Sequence, residues 1–101
     1  MTVSEYLLLY HEHDVRPAAK CGSGLVISIQ ASKFHYCLPC RDFGPYTEVE
    51  VGYPSIKPDE LEKYREAGSE VYPYVPIEVL EELIAANGGI VGPVEQPNNE
   101  E

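Results

Sequence analysis

The sequence has few basic residues and no hydrophobic run long enough to cross a membrane. Seven lysines and arginines stand against seventeen aspartates and glutamates, which gives a formal net charge of -10 at pH 7. A surface with this balance repels the phosphate backbone, so we expect no direct nucleic-acid binding. Because no apolar segment approaches the roughly 20 residues of a transmembrane helix, we also expect no membrane partner.

Cysteine is scarce, and its odd count argues against a disulfide framework. The chain has three cysteines, whereas small disulfide-stabilised secreted domains carry an even number. The first ten residues, MTVSEYLLLY, have no basic segment before the apolar run, unlike a secretory signal peptide. We therefore expect a cytoplasmic protein whose thiols are reduced.

The sequence also lacks the motifs of common enzymes. It has no glycine-rich phosphate loop, no nucleophile elbow and no HExxH. Because no nucleophile, base and orienting residue can be assigned together, we expect a protein without enzymatic activity. An uncharacterised small enzyme is the last of the alternatives.

What the sequence does contain is one globular domain. A chain of 101 residues with 44% hydrophobic content can bury one modest core. We expect a single α+β domain over residues 1–92. Residues 93–101, PVEQPNNEE, are expected to form a disordered polar tail.

Alternating apolar residues predict a small antiparallel sheet in the middle of the chain. The runs LVISIQ and KFHYCL both have the period of two that is typical of half-buried strands. Because only a short turn near residues 31–32 separates them, we predict a hairpin over residues 24–38 and a third strand over residues 46–53. In this register one buried face is shared by Leu25, Ile27, Ile29, Phe34, Tyr36 and Leu38.

Helix signals lie on both sides of the predicted sheet. Thr2 and Glu5 fit a capping box before an apolar run, which predicts a helix over about residues 3–13, with a short strand as the alternative. Proline at the start and glycine at the end predict two further helices, over about residues 58–67 and 76–87. We therefore expect two or three helices packed against the sheet.

The segment KFHYCLPCRDF raises the question of a metal site. Cys37 and Cys40 have the spacing of a zinc knuckle. In the predicted hairpin Cys21 lies beside Cys40, and His35 shares a face with Cys37. Free cysteine commonly acts as a small buried hydrophobe, so we expect no cofactor. The alternative is a small zinc-stabilised domain whose ligands are Cys21, His35, Cys37 and Cys40.

The net negative charge is confined to the C-terminal half of the chain. Residues 1–47 hold four acids and four bases, whereas residues 48–101 hold thirteen acids and three bases. Five of the eight tyrosines lie between residues 46 and 74, and tyrosine is enriched in protein interfaces. We therefore predict a protein partner with a basic surface. The predicted binding residues are Glu48, Glu50, Glu78, Glu81, Glu82, Tyr72 and Tyr74.

Two segments, HYCLPCRDFGPYTEVEVGYPS and YVPIEVLEELIAANGGIVG, resemble small proteins of phage and other mobile elements. These proteins include acidic anti-CRISPR and anti-restriction inhibitors of about this length, some of which occupy the basic nucleic-acid channel of a partner. The resemblance is one of composition and covers the last half of the chain. It implies a phage-type inhibitor of a nucleic-acid-binding protein.

Overall fold

The computed structural model describes residues 1–94 as an antiparallel sheet with helices packed against it. The strand order is β4-β3-β2-β1-β5, and each neighbouring pair is antiparallel. This arrangement confirms the predicted α+β class. Within residues 1–94, no helix is long and apolar enough to cross a membrane. The elements are α1 (Val3–Leu9), β1 (Ala19–Cys21), β2 (Val26–Gln30), β3 (Glu48–Gly52), the 3-10 helix η1 (Asp59–Tyr64), β4 (Val71–Pro76), α2 (Ile77–Ala86) and β5 (Ile90–Pro93).

The apolar residues of β2 and β3 determine which face of the sheet is buried. Ile27 and Ile29 in β2, and Val49 and Val51 in β3, are fully buried. The register places Ile29 opposite Val51, so both apolar sets lie on one face. The third strand predicted over residues 46–53 is therefore confirmed as β3.

The predicted hairpin over residues 24–38 is wrong in its second half. The first run forms β2, but β2 pairs with β1 and β3 rather than with the second run. The second run starts in a turn, because the Ser32 hydroxyl accepts a hydrogen bond from the Phe34 N–H at 3.0 Å. Such local bonds offer the backbone an alternative to a strand ladder. Leu38 keeps one isolated bridge, to Glu48.

The side chains of this second run do not point into the core as predicted. Phe34, Tyr36 and Leu38 are 67%, 52% and 44% exposed, whereas Cys37 between them is buried. Large apolar side chains grouped on a surface usually mark a contact site. The segment therefore contributes to the surface of the protein rather than to one side of its core.

Helix α1 begins at the predicted capping box and is shorter than expected. The Thr2 hydroxyl accepts from the Glu5 N–H at 3.1 Å, and the Glu5 carboxylate accepts from the Thr2 N–H at 2.8 Å. The helix ends at Leu9, so the prediction of a helix to about residue 13 is wrong at its C-terminal end. The alternative of a strand is also wrong.

A buried arginine accounts for the early end of α1. A further helical turn needs the Leu7 carbonyl to accept from the His11 N–H. Instead, the Leu7 carbonyl accepts from Arg16 Nε and Nη2 at 3.1 and 3.0 Å. The His11 N–H donates to the Leu8 carbonyl, in the tighter pattern that is common at helix ends.

The other two predicted helices are present, one of them in reduced form. Residues 58–67 contain only the 3-10 helix η1, whose single buried residue is Leu61. One apolar anchor buries too little surface to hold a longer helix. The helix predicted over residues 76–87 is confirmed as α2, which buries Leu80, Leu83 and Ile84.

Strand β5 occupies the start of the predicted tail. Pro93 is its last residue, and the Val94 N–H donates to the Ala18 carbonyl at 2.8 Å. The predicted domain boundary at residue 92 therefore falls inside a strand. The remainder of the predicted tail, residues 95–101, lies outside the described residues.

The hydrophobic core is a single cluster between one face of the sheet and the helices. Helix α1 packs against α2 and β2, and α2 packs against β4 and η1. The glutamates of β3 lie on the opposite face of the sheet and are half-buried, and the Tyr36 N–H donates to the Glu50 carboxylate there. The largest fully buried side chains are Tyr6, Tyr72, Ile27, Ile29, Leu61, Leu80, Ile84 and Ile90.

Candidate functional site

The structure divides the seven predicted partner-binding residues into surface residues and residues that hold the fold together. Five keep at least part of their side chain on the surface, although the Glu50 carboxylate also accepts a hydrogen bond from the Tyr36 N–H, and two are engaged in holding the fold together. The surface group consists of Glu48, Glu50, Glu78, Glu82 and Tyr74, and the engaged group consists of Tyr72 and Glu81.

Tyr72 is a core residue and does not lie on the surface to which the sequence assigned it. Tyr72 lies in β4, opposite Val51 of β3, and its side chain is fully buried. Its hydroxyl has no hydrogen-bond partner among residues 1–94. Burial raises the pKa of this phenol, since the charged form would lose its hydration.

Removing the Tyr72 hydroxyl should stabilise the protein. An unpartnered buried polar group costs roughly 1–3 kcal/mol, so we expect Tyr72→Phe to raise the free energy of unfolding by about 1 kcal/mol. Tyr6→Phe is the matched control, because Tyr6 is equally buried but donates to the Pro17 carbonyl at 2.8 Å. That variant should lose about 1 kcal/mol. Urea denaturation measures both values, and changes of the same sign would contradict the assignment.

Glu81 extends from α2 to cap the N-terminus of α1. Its carboxylate accepts from the Val3 N–H at 2.8 Å, from the Ser4 N–H at 3.2 Å and from the Ser4 hydroxyl at 3.3 Å. A carboxylate in this position satisfies unpaired N–H groups and interacts favourably with the helix dipole. Glu81 therefore joins the two helices and is not an unengaged surface charge.

Tyr36, Leu38, Tyr74, Glu48 and Glu50 form one continuous surface, which we call the acidic aromatic patch. The ring centroids of Tyr36 and Tyr74 lie 5.8 Å apart. The Tyr74 N–H donates to the Tyr36 carbonyl at 3.1 Å, and the Tyr36 N–H donates to the Glu50 carboxylate at 2.9 Å. Leu38 is bridged to Glu48. Three of these residues were predicted from the sequence, whereas its alternating pattern assigned Tyr36 and Leu38 to the core.

Tyr74 has an unusual backbone conformation within this patch. Its φ of 55° is in the left-handed region, which bulky residues rarely adopt. It lies on β4 where the register with β3 shifts between Val49 and Val51. Bulges of this kind redirect side chains and are common beside functional sites. The bulge brings the Tyr74 ring against Tyr36 at a cost of roughly 1–3 kcal/mol.

The four candidate zinc ligands are not gathered into one site. Cys21 lies in β1, where its partner in register is Ile90 of β5. Cys37 and Cys40 lie in the loop between β2 and β3. Across residues 1–94, no group of three or more His, Cys, Asp and Glu side chains is arranged to hold a metal ion. Zinc binding by Cys21, His35, Cys37 and Cys40 stays a prediction, which metal analysis of the purified protein tests.

The two thiols of the loop form hydrogen bonds within it. Cys37 Sγ lies 3.2 Å from the Ser32 carbonyl oxygen, and Cys40 Sγ lies 3.4 Å from the Lys33 carbonyl oxygen. Burial raises the pKa of the Cys37 thiol and of the Cys21 thiol. A raised pKa favours the thiol over the thiolate that metal binding and redox chemistry need. Through these hydrogen bonds, Cys37 and Cys40 help to fix the loop that presents Tyr36.

Ser32 and His35 form a close pair of a hydroxyl and an imidazole. Ser32 Oγ and His35 Nδ1 lie 2.7 Å apart. The hydroxyl is buried, however, and already accepts a hydrogen bond from the Phe34 N–H. The pair therefore contributes to the structure of the turn. The expected absence of enzymatic activity stays a prediction.

A second candidate site is a cleft of about 420 Å³ beside α1, which we call the Arg16 cleft. Leu7, Leu8, Phe43 and Tyr46 contribute its apolar lining. Leu8 and Phe43 are 72% and 69% exposed, although both are large and apolar. Arg16 also lines the cleft and is only 3% exposed. The cleft thus combines an apolar lining with a buried cation.

Arg16 is hydrogen-bonded to carbonyl groups and has no acidic partner. Nε and Nη2 donate to the Leu7 carbonyl, and Nη1 donates to the Ala31 carbonyl at 2.5 Å. Among the residues described, no carboxylate oxygen lies within 4.0 Å of its guanidinium. Burial lowers the pKa of Arg16, and the nearby Tyr46 phenol opposes that shift. The guanidinium stays charged, because arginine is not deprotonated in proteins.

Comparison with known proteins adds no family to these observations. The chain matches no protein-family model, no curated protein and no solved structure. The acidic aromatic patch and the Arg16 cleft are therefore interpreted from their own chemistry.

Proposed function

We propose that the protein binds a protein partner with a basic surface through the acidic aromatic patch. The observation that carries this proposal is the contact between two exposed tyrosines, Tyr36 and Tyr74, beside Glu48 and Glu50. Tyrosine supplies a rigid apolar anchor with a polar tip, and it is frequent among residues that dominate binding energy. The carboxylates select a partner of opposite charge.

The charge around the patch supports a basic partner. β3, β4 and α2 contain five glutamates and no lysine or arginine, whereas the loop that carries Tyr36 and Leu38 holds two basic residues and one acidic residue. Such a field attracts a basic surface at long range and repels nucleic acid. In keeping with the resemblance to phage inhibitors, the proposed partner is a nucleic-acid-binding protein whose basic channel the patch occupies. We place this non-enzymatic role in the cytoplasm, where the three unpaired cysteines stay reduced.

The edge of the sheet favours contact through side chains over the addition of a strand. β4 is an edge strand, but Pro73 and Pro76 have no N–H to donate. The Tyr74 N–H already donates to Tyr36, and the Val71 carbonyl already accepts from the Glu66 N–H. A strand from a partner would find few available backbone groups here. The exposed rings and carboxylates are therefore the groups that contact the partner.

Removing either ring should weaken partner binding strongly without unfolding the protein. We expect Tyr36→Ala and Tyr74→Ala each to weaken binding by about 30-fold, since a residue that dominates an interface contributes about 2 kcal/mol. Wild type and variants are compared as immobilised baits on lysate from the native host, and affinities are then measured for the protein recovered.

The matched control is Tyr53→Ala. Tyr53 is exposed and also has a positive φ, of 49°, but it lies outside the patch. A partner that is retained by Tyr53→Ala and lost by the patch variants supports the proposal. Equal retention by all baits would contradict it.

The electrostatic part of the proposal predicts that binding weakens with salt. Charge reversal at two exposed positions, Glu78→Lys with Glu82→Lys, should weaken it as well. Glu81 is left unchanged, because its carboxylate caps α1 and its loss would perturb the fold. Affinity that is independent of both salt and charge reversal would refute an electrostatic partner.

A further inference from the structure

We propose that the Arg16 cleft is a separate binding site for a small amphipathic carboxylate, such as a medium-chain fatty acid. The apolar chain of the ligand lies against Leu8 and Phe43, and its carboxylate is directed to Arg16. This inference is independent of the acidic aromatic patch. It rests on the lining of the cleft, on the burial of Arg16 and on the absence of an acidic partner among the described residues.

The size and lining of the cleft suit a small molecule. Its volume of about 420 Å³ is within the usual range of about 300–1,000 Å³ for ligand sites. Leu8 and Phe43 stay exposed although the protein could have polar residues there at no cost to its core. Such sites are typically apolar with a few polar groups that orient the ligand. Here Arg16 is the cationic group in that position.

The charge of Arg16 determines the ligand class. A buried cation that faces carbonyl dipoles and the Tyr46 phenol, but no carboxylate, has paid the cost of desolvation without gaining an ion pair. Its bonds to Leu7 and Ala31 use three of the five guanidinium N–H groups, and the Tyr46 hydroxyl competes for a further one, which still leaves donor capacity for an anion. Arginine binds carboxylates with short, charge-assisted hydrogen bonds.

The rest of the cleft favours a carboxylate over a phosphate. Asp42 lines the same cleft and would repel a doubly charged group more strongly than a singly charged one. His11 also lines the cleft but is exposed, so it does not provide a second buried cation for a phosphate. Because Arg16 is only 3% exposed, a slender head group reaches it more easily than a bulky one.

Titration with three probes of equal chain length tests the proposal. The probes are decanoate, decanol and decylammonium, added to the isotopically labelled wild-type protein and followed by amide chemical shifts. We expect decanoate to bind at least about tenfold more tightly than decanol, which corresponds to one charge-assisted hydrogen bond, and decylammonium to bind most weakly. Equal binding of decanoate and decanol, or no binding of decanoate, would overturn the proposal.

Two neighbouring leucines provide a variant and its matched control. Leu8 and Leu9 are both exposed on α1, but only Leu8 lines the cleft. We expect Leu8→Glu to weaken decanoate binding at least about tenfold by repulsion, and Leu8→Lys to retain it. Leu9→Glu should bind decanoate as wild type does. Circular dichroism checks that each variant is folded, and equal losses at both positions would overturn the site.

The proposals for the Arg16 cleft and for the acidic aromatic patch can be contradicted independently of each other. Tyr36→Ala and Tyr74→Ala should bind decanoate with wild-type affinity, since neither residue lines the cleft. Leu8→Glu should in turn leave the partner-binding assay unchanged. A variant that lost both activities would show a loss of fold and is identified by its circular dichroism spectrum.

Discussion

Arg16→Met is expected to lower the free energy of unfolding by about 3 kcal/mol, because it leaves the Leu7 and Ala31 carbonyls buried without donors. Replacing a buried ion pair with an apolar side chain can be neutral, since both charges are removed together. Here that compensation is missing. The carbonyl oxygens belong to the backbone and remain after the substitution, and methionine cannot donate to them.

Arg41→Met is the matched control for this prediction. Arg41 also donates from Nε to a carbonyl, that of Phe43, at 3.0 Å, but it is exposed and water can replace the bond. Its substitution should change the free energy of unfolding by no more than about 0.5 kcal/mol. Chemical denaturation of wild type and both variants measures the difference. A loss below about 1 kcal/mol in Arg16→Met would show that the two carbonyls find other partners.

The parts of the fold that follow from local signals were predictable from the sequence. The capping box of α1 depends on Thr2 and Glu5, which are three residues apart. Helix α2 has proline before it and glycine after it, and the alternation of β3 selects its buried face. In each of these elements the residues that decide the structure lie within a few positions of one another.

The parts that depend on distant partners were not predictable in this way. β1 has only three residues, too few to show a period, and it takes the position beside β2 that the prediction gave to residues 33–38. The early end of α1 depends on Arg16, which lies beyond the helix in the sequence and donates a hydrogen bond to its Leu7 carbonyl. A hydrophobic pattern indicates which residues face a core, but it does not identify the neighbouring strand.

The candidate site, like the fold, was predictable only where local signals determine it. Composition indicated an acidic, tyrosine-bearing surface, and Tyr74, Glu48 and Glu50 lie together in the acidic aromatic patch. Its other two members come from the loop that the sequence pattern assigned to the core. Glutamates on one side of a predicted helix all look alike, because the pattern does not show which of them meets another helix. Glu81 is distinguished from its neighbour Glu82 by the position of α1 alone.

Glu81→Ala is expected to lower the free energy of unfolding by about 2 kcal/mol, since hydrogen bonds to a charged group contribute roughly 1.5–3 kcal/mol. The substitution removes the acceptor for the Val3 and Ser4 N–H groups. These are among the N-terminal N–H groups of α1 that have no partner within the helix. It also removes a negative charge from the positive end of the helix dipole. Thermal and urea denaturation measure the loss.

Glu82→Ala separates this capping role from the general repulsion between glutamates on α2. Glu82 is exposed, its side chain forms no hydrogen bond within residues 1–94, and it follows Glu78 by one helical turn. Removing it should leave stability unchanged or raise it by a few tenths of a kcal/mol, because like charges at this spacing repel. If charge repulsion dominated at both positions, Glu81→Ala would be stabilising too. Opposite signs at adjacent glutamates are therefore the result that identifies Glu81 as the cap of α1, and they explain why its reversal cannot serve as a test of partner binding.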